Sequence, residues 1–217
     1  MSDAQFPSDL VEGYHRFTQT RLSSERERYR TLAREGQRPR VMTIACCDSR
    51  AAPETIFDMG PGEMFVMRNV ANLVPPYEPD GGQHATSAAI EFAVNGLKVE
   101  HILVLGHGRC GGIAAALDPD MQPLSEGDFI GKWIGLLKSD AERVAKTDFL
   151  TPAERQTQME RLAVRGSLER LRGFPLIAEA EGEGRLSLHG AWFDIESGEL
   201  WVMNAGTGDF ERPAAAV

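Results

Sequence analysis

Three short apolar segments, at residues 41–46, 64–68 and 101–105, constrain the fold of this chain more than any other feature. Each has the length of a strand, and each is apolar almost continuously instead of alternating between apolar and polar residues. Strands of this kind are typical of parallel sheets that helices cover on both faces. A helical pattern over residues 83–97 precedes the third segment, as a crossover between parallel strands requires. The sequence therefore predicts an α/β fold with a mostly parallel β-sheet flanked by helices.

The rest of the chain is predicted to complete a single domain. Apolar side chains at helical spacing predict one long helix over residues 8–35 and further helix over residues 126–172. Two short strands around a tight turn are predicted at residues 186–194 and 200–203. We expect one domain over residues 1–217, made of an N-terminal helical arm (1–35), an α/β core (36–204) and a tail (205–217).

Charge and cysteine content limit the classes of function. The chain has 23 Lys and Arg residues against 32 Asp and Glu residues, which gives a net charge of −9. An acidic chain is not expected to bind nucleic acid or an anionic membrane surface. The sequence has no visible signal peptide and no apolar run of about 18 residues, and its three cysteines are too few for a disulfide framework. We therefore expect a protein of the reducing cytoplasm.

The residues that carry chemistry follow two of the predicted strands. Cys46 ends the first segment, and His107 and Cys110 follow the third within a glycine-rich turn. Ligand sites in open α/β sheets lie beyond the carboxyl ends of such strands. Two thiolates and one imidazole form a ligand set that catalytic zinc uses with its fourth position open. We predict that Cys46, His107 and Cys110 bind one zinc ion per chain.

An acidic and a basic residue stand next to the first predicted ligand. Asp48 and Arg50 are two positions apart, so in an extended or turning segment their side chains emerge on the same side. An arginine beside an aspartate keeps the carboxylate ionised, and the carboxylate can then accept a hydrogen bond from a metal-bound hydroxide. The alternative interpretation is an ordinary turn aspartate next to a surface arginine.

The remaining cysteine and histidines are expected to have structural roles. Cys47 is expected to be a small buried residue that spaces Cys46 from Asp48. His84 stands in a loop before a predicted helix, where moving protons is an alternative role for it. The histidines expected to be plain core or surface residues are His15, His101 and His189.

The pattern Cys-x-Asp-x-Arg at residues 46–50, followed by His-x-x-Cys at residues 107–110, resembles the β-class carbonic anhydrases. The resemblance extends from about residue 36 to residue 204, and it includes Val-Leu-Gly-His-Gly-Arg-Cys-Gly-Gly-Ile at residues 104–113. Further similar blocks lie at residues 61–77, 88–94, 128–133, 164–168 and 189–194.

The resemblance implies an enzyme that uses zinc to hydrate carbon dioxide reversibly to bicarbonate and a proton, through a zinc-bound hydroxide. Asp48 and Arg50 would be its catalytic residues: Asp48 would orient the hydroxide, and Arg50 would hold Asp48 in place. The resemblance also implies a homodimer or a dimer-based oligomer, in which the N-terminal helix embraces the partner. The residues it implies for substrate binding are Gln37, Phe65, Val70, Phe92 and Gly111.

Within the family, the sequence is similar to the plant-like, non-allosteric members. Residues 42–44 lack the tryptophan with which the other subgroup builds an allosteric bicarbonate pocket. Gln37 stands nine residues before Cys46, as in the plant-like pattern. Phe92 departs from that pattern, which has a tyrosine at this position, so one hydroxyl of the implied substrate pocket is missing.

Three alternatives stay open at the level of sequence. The same site could hydrolyse carbonyl sulfide or carbon disulfide in place of hydrating carbon dioxide. Zinc could instead stabilise a non-enzymatic oligomer, which would have closed coordination and no use for Asp48 and Arg50. Finally, Cys46 and Cys47 could act as redox thiols, an arrangement that one bound zinc ion per chain would exclude.

Overall fold

The computed structural model describes residues 6–214, which form two compact units divided after residue 37. The N-terminal unit consists of helices α1 (Ser8–Gln19) and α2 (Arg21–Glu35). The rings of Phe17 and Tyr29 lie 6.1 Å apart in an edge-to-face arrangement, so the two helices pack against each other.

Residues 8–35 are helical as predicted, but they form two helices instead of one long helix. The helix breaks at Thr20, whose backbone leaves the helical region at φ −111° and ψ −88°. The hydroxyl of Thr20 donates a hydrogen bond to the backbone carbonyl of Arg16 at 2.7 Å. Such bonds from threonine compete with the regular helical pattern and bend helices, which explains the position of the break.

The second unit is built on a six-stranded sheet with the order β2-β1-β3-β4-β5-β6. The first four strands are parallel, and the last two are antiparallel to their neighbours, which confirms the predicted mostly parallel sheet. β6 has no counterpart among the predicted strands, because two residues are too few to show a pattern. The strands are β1 (Val41–Cys46), β2 (Met64–Asn69), β3 (His101–His107), β4 (Ser187–Phe193), β5 (Leu200–Met203) and β6 (Phe210–Glu211).

The predicted helical stretch 126–172 is divided into three helices. The longest of them begins at Pro152 because Thr151 and Glu154 cap it with reciprocal hydrogen bonds. No helix among the described residues has both the length and the hydrophobicity of a membrane span. The helices of this unit are α3 (Pro53–Ile56), α4 (Ala85–Glu91), α5 (Gly111–Leu117), α6 (Phe129–Ile134), α7 (Lys138–Ala145), α8 (Pro152–Arg172) and α9 (Pro175–Gly182), with a π-helical segment at Phe92–Leu97 and 3₁₀ turns at Val70–Asn72 and Gly135–Leu137.

Helix α8 packs very closely on strands β3 and β4. A Cβ atom on Gly106 would lie 2.7 Å from a methyl group of Val164, and one on Gly190 would lie 2.9 Å from the other methyl. Both glycines are therefore required for this close approach. The approach also brings Glu160, one turn before Val164, to the carboxyl end of β3. The backbone carbonyl of Glu160 would lie 3.6 Å from a Cβ atom on Gly106.

Candidate active site

Three buried side chains meet at the carboxyl edge of the sheet. Cys46 is the last residue of β1, His107 is the last residue of β3, and Cys110 immediately precedes α5. Their ligand atoms all lie within 4.8 Å of one another. The two sulfur atoms are 3.9 Å apart although the cysteines are 64 positions apart in the chain. They come together because β1 and β3 are neighbours in the sheet.

The orientation of His107 fits metal binding. Its Nδ1 donates a hydrogen bond to the backbone carbonyl of Gly108 at 2.9 Å, which leaves the free lone pair on Nε2. Nε2 is buried and has no hydrogen-bond partner among the residues that the structure describes. An unsatisfied buried acceptor costs about 1–3 kcal/mol, and a metal ion would satisfy it. Because zinc prefers imidazole and thiolate ligands, Cys46, His107 and Cys110 fit a zinc ion.

The sulfur atoms of the two cysteines lie within hydrogen-bond distance of each other. The hydrogen bond from the Cys110 thiol lowers the pKa of Cys46 to about 4, and the same contact raises the pKa of Cys110. The backbone N–H of Ala71 also donates to the Cys46 sulfur, at 3.4 Å. Although burial opposes it, the neighbouring Cys46 sulfur raises the pKa of His107. The site therefore attracts a cation, and metal binding would displace the remaining thiol proton.

Backbone strain in the loop after β2 helps to place the Ala71 N–H. Ala71 and Asn72 have positive φ angles of 63° and 49°, a conformation that costs an alanine roughly 1–2 kcal/mol but that asparagine adopts more readily. The side chain of Asn69 holds this loop closed, since it donates to the carbonyl of Leu73 at 2.8 Å and accepts from its N–H at 2.9 Å. The closed loop directs the Ala71 N–H towards Cys46.

Asp48 and Arg50 form a two-point ion pair beside the metal ligands. Arg50 donates from Nε to one carboxylate oxygen of Asp48 at 2.9 Å and from Nη2 to the other at 2.7 Å. These bonds hold the pKa of the Asp48 carboxyl well below its usual range. The second oxygen also lies 3.9 Å from Nε2 of His107. The structure thus brings the Asp48 carboxylate to the candidate metal centre.

Two charged residues that the sequence analysis misses fix the ligand loops from outside. Arg68 donates to the backbone carbonyls of Cys46 at 2.8 Å and Asp48 at 2.7 Å. Glu160 is only 2% exposed, and its carboxylate accepts hydrogen bonds from the Cys110 N–H and the Trp192 indole, both at 3.0 Å. Burial raises the pKa of Glu160. The available signal is a glutamate that follows Met159 and stands one helical turn before Ala163 and Val164 in a predicted helix.

A cavity of about 590 Å³ opens next to the metal ligands. It is lined by Cys47, Asn69, Val70 and His84, together with apolar residues of α6. Cys47 is exposed, so the expectation that it is buried is wrong. Val70 packs against the start of α5, since a Cβ on Gly112 would lie 2.6 Å from its methyl group. The cavity reaches Cys47, the residue after Cys46, but its lining does not include the three candidate ligands.

The predicted substrate-binding residues do not form one cluster within the second unit. Val70 and Gly111 lie beside the ligands, in the loop after β2 and at the first position of α5. Phe65 and Phe92 instead contact each other, with ring centroids 5.9 Å apart, and neither lines the cavity. Gln37 is the last residue of the N-terminal unit.

Comparison with known proteins assigns this arrangement to a family. The family model for carbonic anhydrases matches residues 41–200, a range that contains all three candidate ligands and the Asp48–Arg50 pair. The chain belongs to the carbonic anhydrase family. Among curated carbonic anhydrases, β carbonic anhydrase 5, chloroplastic, from Arabidopsis thaliana is 40% identical over 90% of this chain. The matched region spans 65% of that plant protein's length, slightly less than two thirds.

Solved carbonic anhydrase structures have the same fold. The β-carbonic anhydrase CcaA superposes with a TM-score of 0.87 at 29% identity, over 95% of this chain and 98% of its own. One of two tetrameric β-carbonic anhydrases from the filamentous ascomycete Sordaria macrospora superposes with a TM-score of 0.80 at 33% identity, over 92% and 98% of the two chains. The resemblance to the β class that the motifs indicate is confirmed.

Proposed function

We propose that this protein is a zinc-dependent carbonic anhydrase that converts carbon dioxide and water reversibly into bicarbonate and a proton. One observation carries the proposal: an ionised aspartate, Asp48, lies 3.9 Å from the free nitrogen of His107, beside two cysteines that fit zinc. A zinc site that only stabilises a fold has no need of such a carboxylate. The names of the relatives support the same reaction.

Cys46, His107 and Cys110 would hold one zinc ion per chain. Zinc bound there would lower the pKa of a water molecule to about 7 and so supply hydroxide near neutral pH. Both thiols must stay reduced to bind zinc, which supports the expected cytoplasmic location. The protein's own contribution is to orient the nucleophile and to exclude other reactions around it.

Asp48 and Arg50 would provide this orientation. A carboxylate has about four lone-pair positions, and Arg50 takes only part of them, so the oxygen nearer His107 can accept one more hydrogen bond. Asp48 would accept a hydrogen bond from the attacking group and thereby direct the lone pair of that group towards carbon dioxide. Arg50 keeps Asp48 ionised and fixes its position.

The substrate pocket is proposed to need two copies of the chain. Val70 would form an apolar wall, and the backbone N–H of Gly111 would donate to a substrate oxygen. Phe65 and Phe92 lie away from the cavity of their own chain, and Phe92 is 54% exposed, as suits a residue that a second copy covers. We therefore propose a homodimer or dimer-based oligomer in which Phe65, Phe92 and Gln37 serve the partner's site.

Stopped-flow measurement of carbon dioxide hydration across pH, on protein of known zinc content, tests the proposed function. We expect turnover that rises with pH as the nucleophile is deprotonated. Protein that holds one zinc ion per chain and hydrates carbon dioxide no faster than buffer alone would contradict the proposal. Carbonyl sulfide is measured alongside, because turnover of that substrate only would favour the alternative hydrolase.

His84 is proposed to carry the released proton to solution. It lines the cavity that also reaches Cys47 and Val70, and Asp80 accepts a hydrogen bond from its Nε2 at 2.7 Å, which leaves Nδ1 free to take a proton. We expect His84→Ala to lower kcat about tenfold in dilute buffer and to leave kcat/KM unchanged. Added imidazole should restore the rate. His189→Ala is the control. His189 is an exposed residue of β4 that forms a hydrogen bond with His101 of β3.

Glu160 is proposed to position Cys110 for zinc. Its carboxylate accepts the Cys110 N–H, and partners of this kind contribute about 10–100-fold to metal affinity. We expect Glu160→Gln to weaken zinc binding by that factor, measured by competition with a chromogenic chelator. Glu169→Gln, an exposed glutamate on the same helix, is the control and should retain the wild-type affinity. Equal zinc affinity in the wild type, Glu160→Gln and Glu169→Gln would show that Glu160 serves only to pack α8.

A further inference from the structure

A second cavity, of about 440 Å³, has no part in the proposed reaction. Three arginines line it, Arg109, Arg161 and Arg165, and Glu154 is the one carboxylate among its lining residues. That carboxylate already accepts the N–H and hydroxyl of Thr151 in the cap of α8. The lining is therefore strongly positive in a chain whose net charge is −9.

Arg161 is the least compensated of the three arginines. Its guanidinium lies over two indole rings, 4.7 Å from the centroid of Trp192 and 5.0 Å from that of Trp201. Its Nε is buried without a hydrogen-bond partner within the described part of the chain. Burial lowers the pKa of Arg161, and the nearby carboxylates of Glu160 and Asp194 only partly offset this effect. A cation held in this way favours an added anion.

The other two arginines keep donors for a ligand as well. Arg165 uses Nε and Nη2 on the carbonyl of Gly208, and its Nη2 also lies 3.6 Å from the exposed carboxylate of Asp209. Arg109 reaches Glu196 at 3.3 Å, in an exposed pair of the type that contributes little to stability. Thr157 and Gln158 add a hydroxyl and an amide to the same lining.

We propose that this cavity binds a small oxyanion of the phosphate or bicarbonate type, with Arg161 as its central contact. Guanidinium groups match oxyanions because their planar donors form paired hydrogen bonds. The indole rings hold the Arg161 group in one orientation, so little conformational freedom is lost on binding. The volume is of the size that small-molecule sites have, and the anion would neutralise part of the excess positive charge.

The two indoles provide a direct measurement. Trp192 and Trp201 are two of the chain's three tryptophans, and both contact Arg161. Trp192 also donates to Glu160, which accepts the N–H of the zinc ligand Cys110. An anion on Arg161 therefore changes the surroundings of both indoles, and its binding is expected to change their fluorescence whether or not the enzyme is turning over.

The test is a fluorescence titration of the zinc-loaded protein with sodium phosphate and, separately, sodium bicarbonate at constant ionic strength. We expect a saturable change with at least one of the two ions. Arg161→Gln should weaken the affinity at least tenfold. Arg161→Gln also changes the packing of the two indoles, because it removes the cation that lies over them. Gln158→Glu is therefore tested as well, since it alters an exposed residue and places a negative charge in the cavity. It should weaken binding by a similar factor.

Arg40→Gln is the matched control, since Arg40 is exposed and paired with Glu100 outside this cavity. It should bind the anion like the wild type. Saturation by phosphate that both cavity variants lose assigns the site to phosphate, and the same result with bicarbonate alone assigns it to bicarbonate. A change that grows linearly with salt, or an affinity that is equal in the wild type and both cavity variants, overturns the proposal.

Discussion

Replacing Cys110 with serine is expected to remove zinc from the protein and, with it, carbon dioxide hydration. Cys110 is 1% exposed and lies 3.9 Å from the Cys46 sulfur, so its place cannot be taken by a neighbouring side chain without repacking. A serine hydroxyl is a poor zinc ligand because it stays protonated near neutral pH. Zinc content should fall from about one equivalent per chain to less than about a tenth. Metal analysis and stopped-flow hydration measure the two effects.

Cys47→Ser is the matched control for zinc content. Cys47 is exposed, next to a ligand in the chain, but it belongs to no metal-binding group among the described residues. We expect this variant to retain one zinc ion. Retention of zinc in Cys110→Ser with its loss in Cys47→Ser would contradict the assignment of the ligands.

The sheet is the part of the fold that sequence predicts best, because each parallel strand carries its own signal. Continuous apolar segments mark β1 and β3 without reference to any distant residue. The helices show where such local patterns fail. The break at Thr20 depends on one side chain bonding to the carbonyl of Arg16, and a helical period continues across it. The division of 126–172 likewise depends on the cap that Thr151 and Glu154 form, a start signal that the helical pattern over the whole stretch passes over.

Some residues of the candidate site are likewise predicted by a local pattern, and others are not. Cys46, Asp48 and Arg50 lie within five consecutive residues, so the end of one strand places all three and their spacing is informative. Glu160 joins the site only because α8 packs closely on Gly106, a contact that no local pattern encodes. Phe65 and Phe92 show a different limit. The residues that would surround Phe65 and Phe92 are proposed to come from a second copy of the chain. A single sequence does not say where that second copy lies.

Asp48→Asn is expected to reduce carbon dioxide hydration by about 10²–10³-fold while zinc stays bound, since Asp48 acts on the nucleophile and not as a ligand. In the wild type, Arg50 holds the pKa of Asp48 well below its usual range, so the carboxylate is ionised throughout the neutral range. The variant should therefore lower the maximal rate without moving the midpoint of the pH profile much. An asparagine also presents an N–H to the Arg50 guanidinium, which breaks one of the two bonds that hold the pair.

Asp58→Asn gives the matched control, because Asp58 is an exposed aspartate of the same unit and forms no described ion pair. It should hydrate carbon dioxide at the wild-type rate. Full activity in Asp48→Asn would exclude Asp48 from the chemistry. Loss of zinc together with activity would instead assign Asp48 to the metal coordination itself. The proposed role of Asp48, which Arg50 holds in place, is to act on the attacking group. It is supported only if Asp48→Asn keeps its zinc and hydrates carbon dioxide slowly.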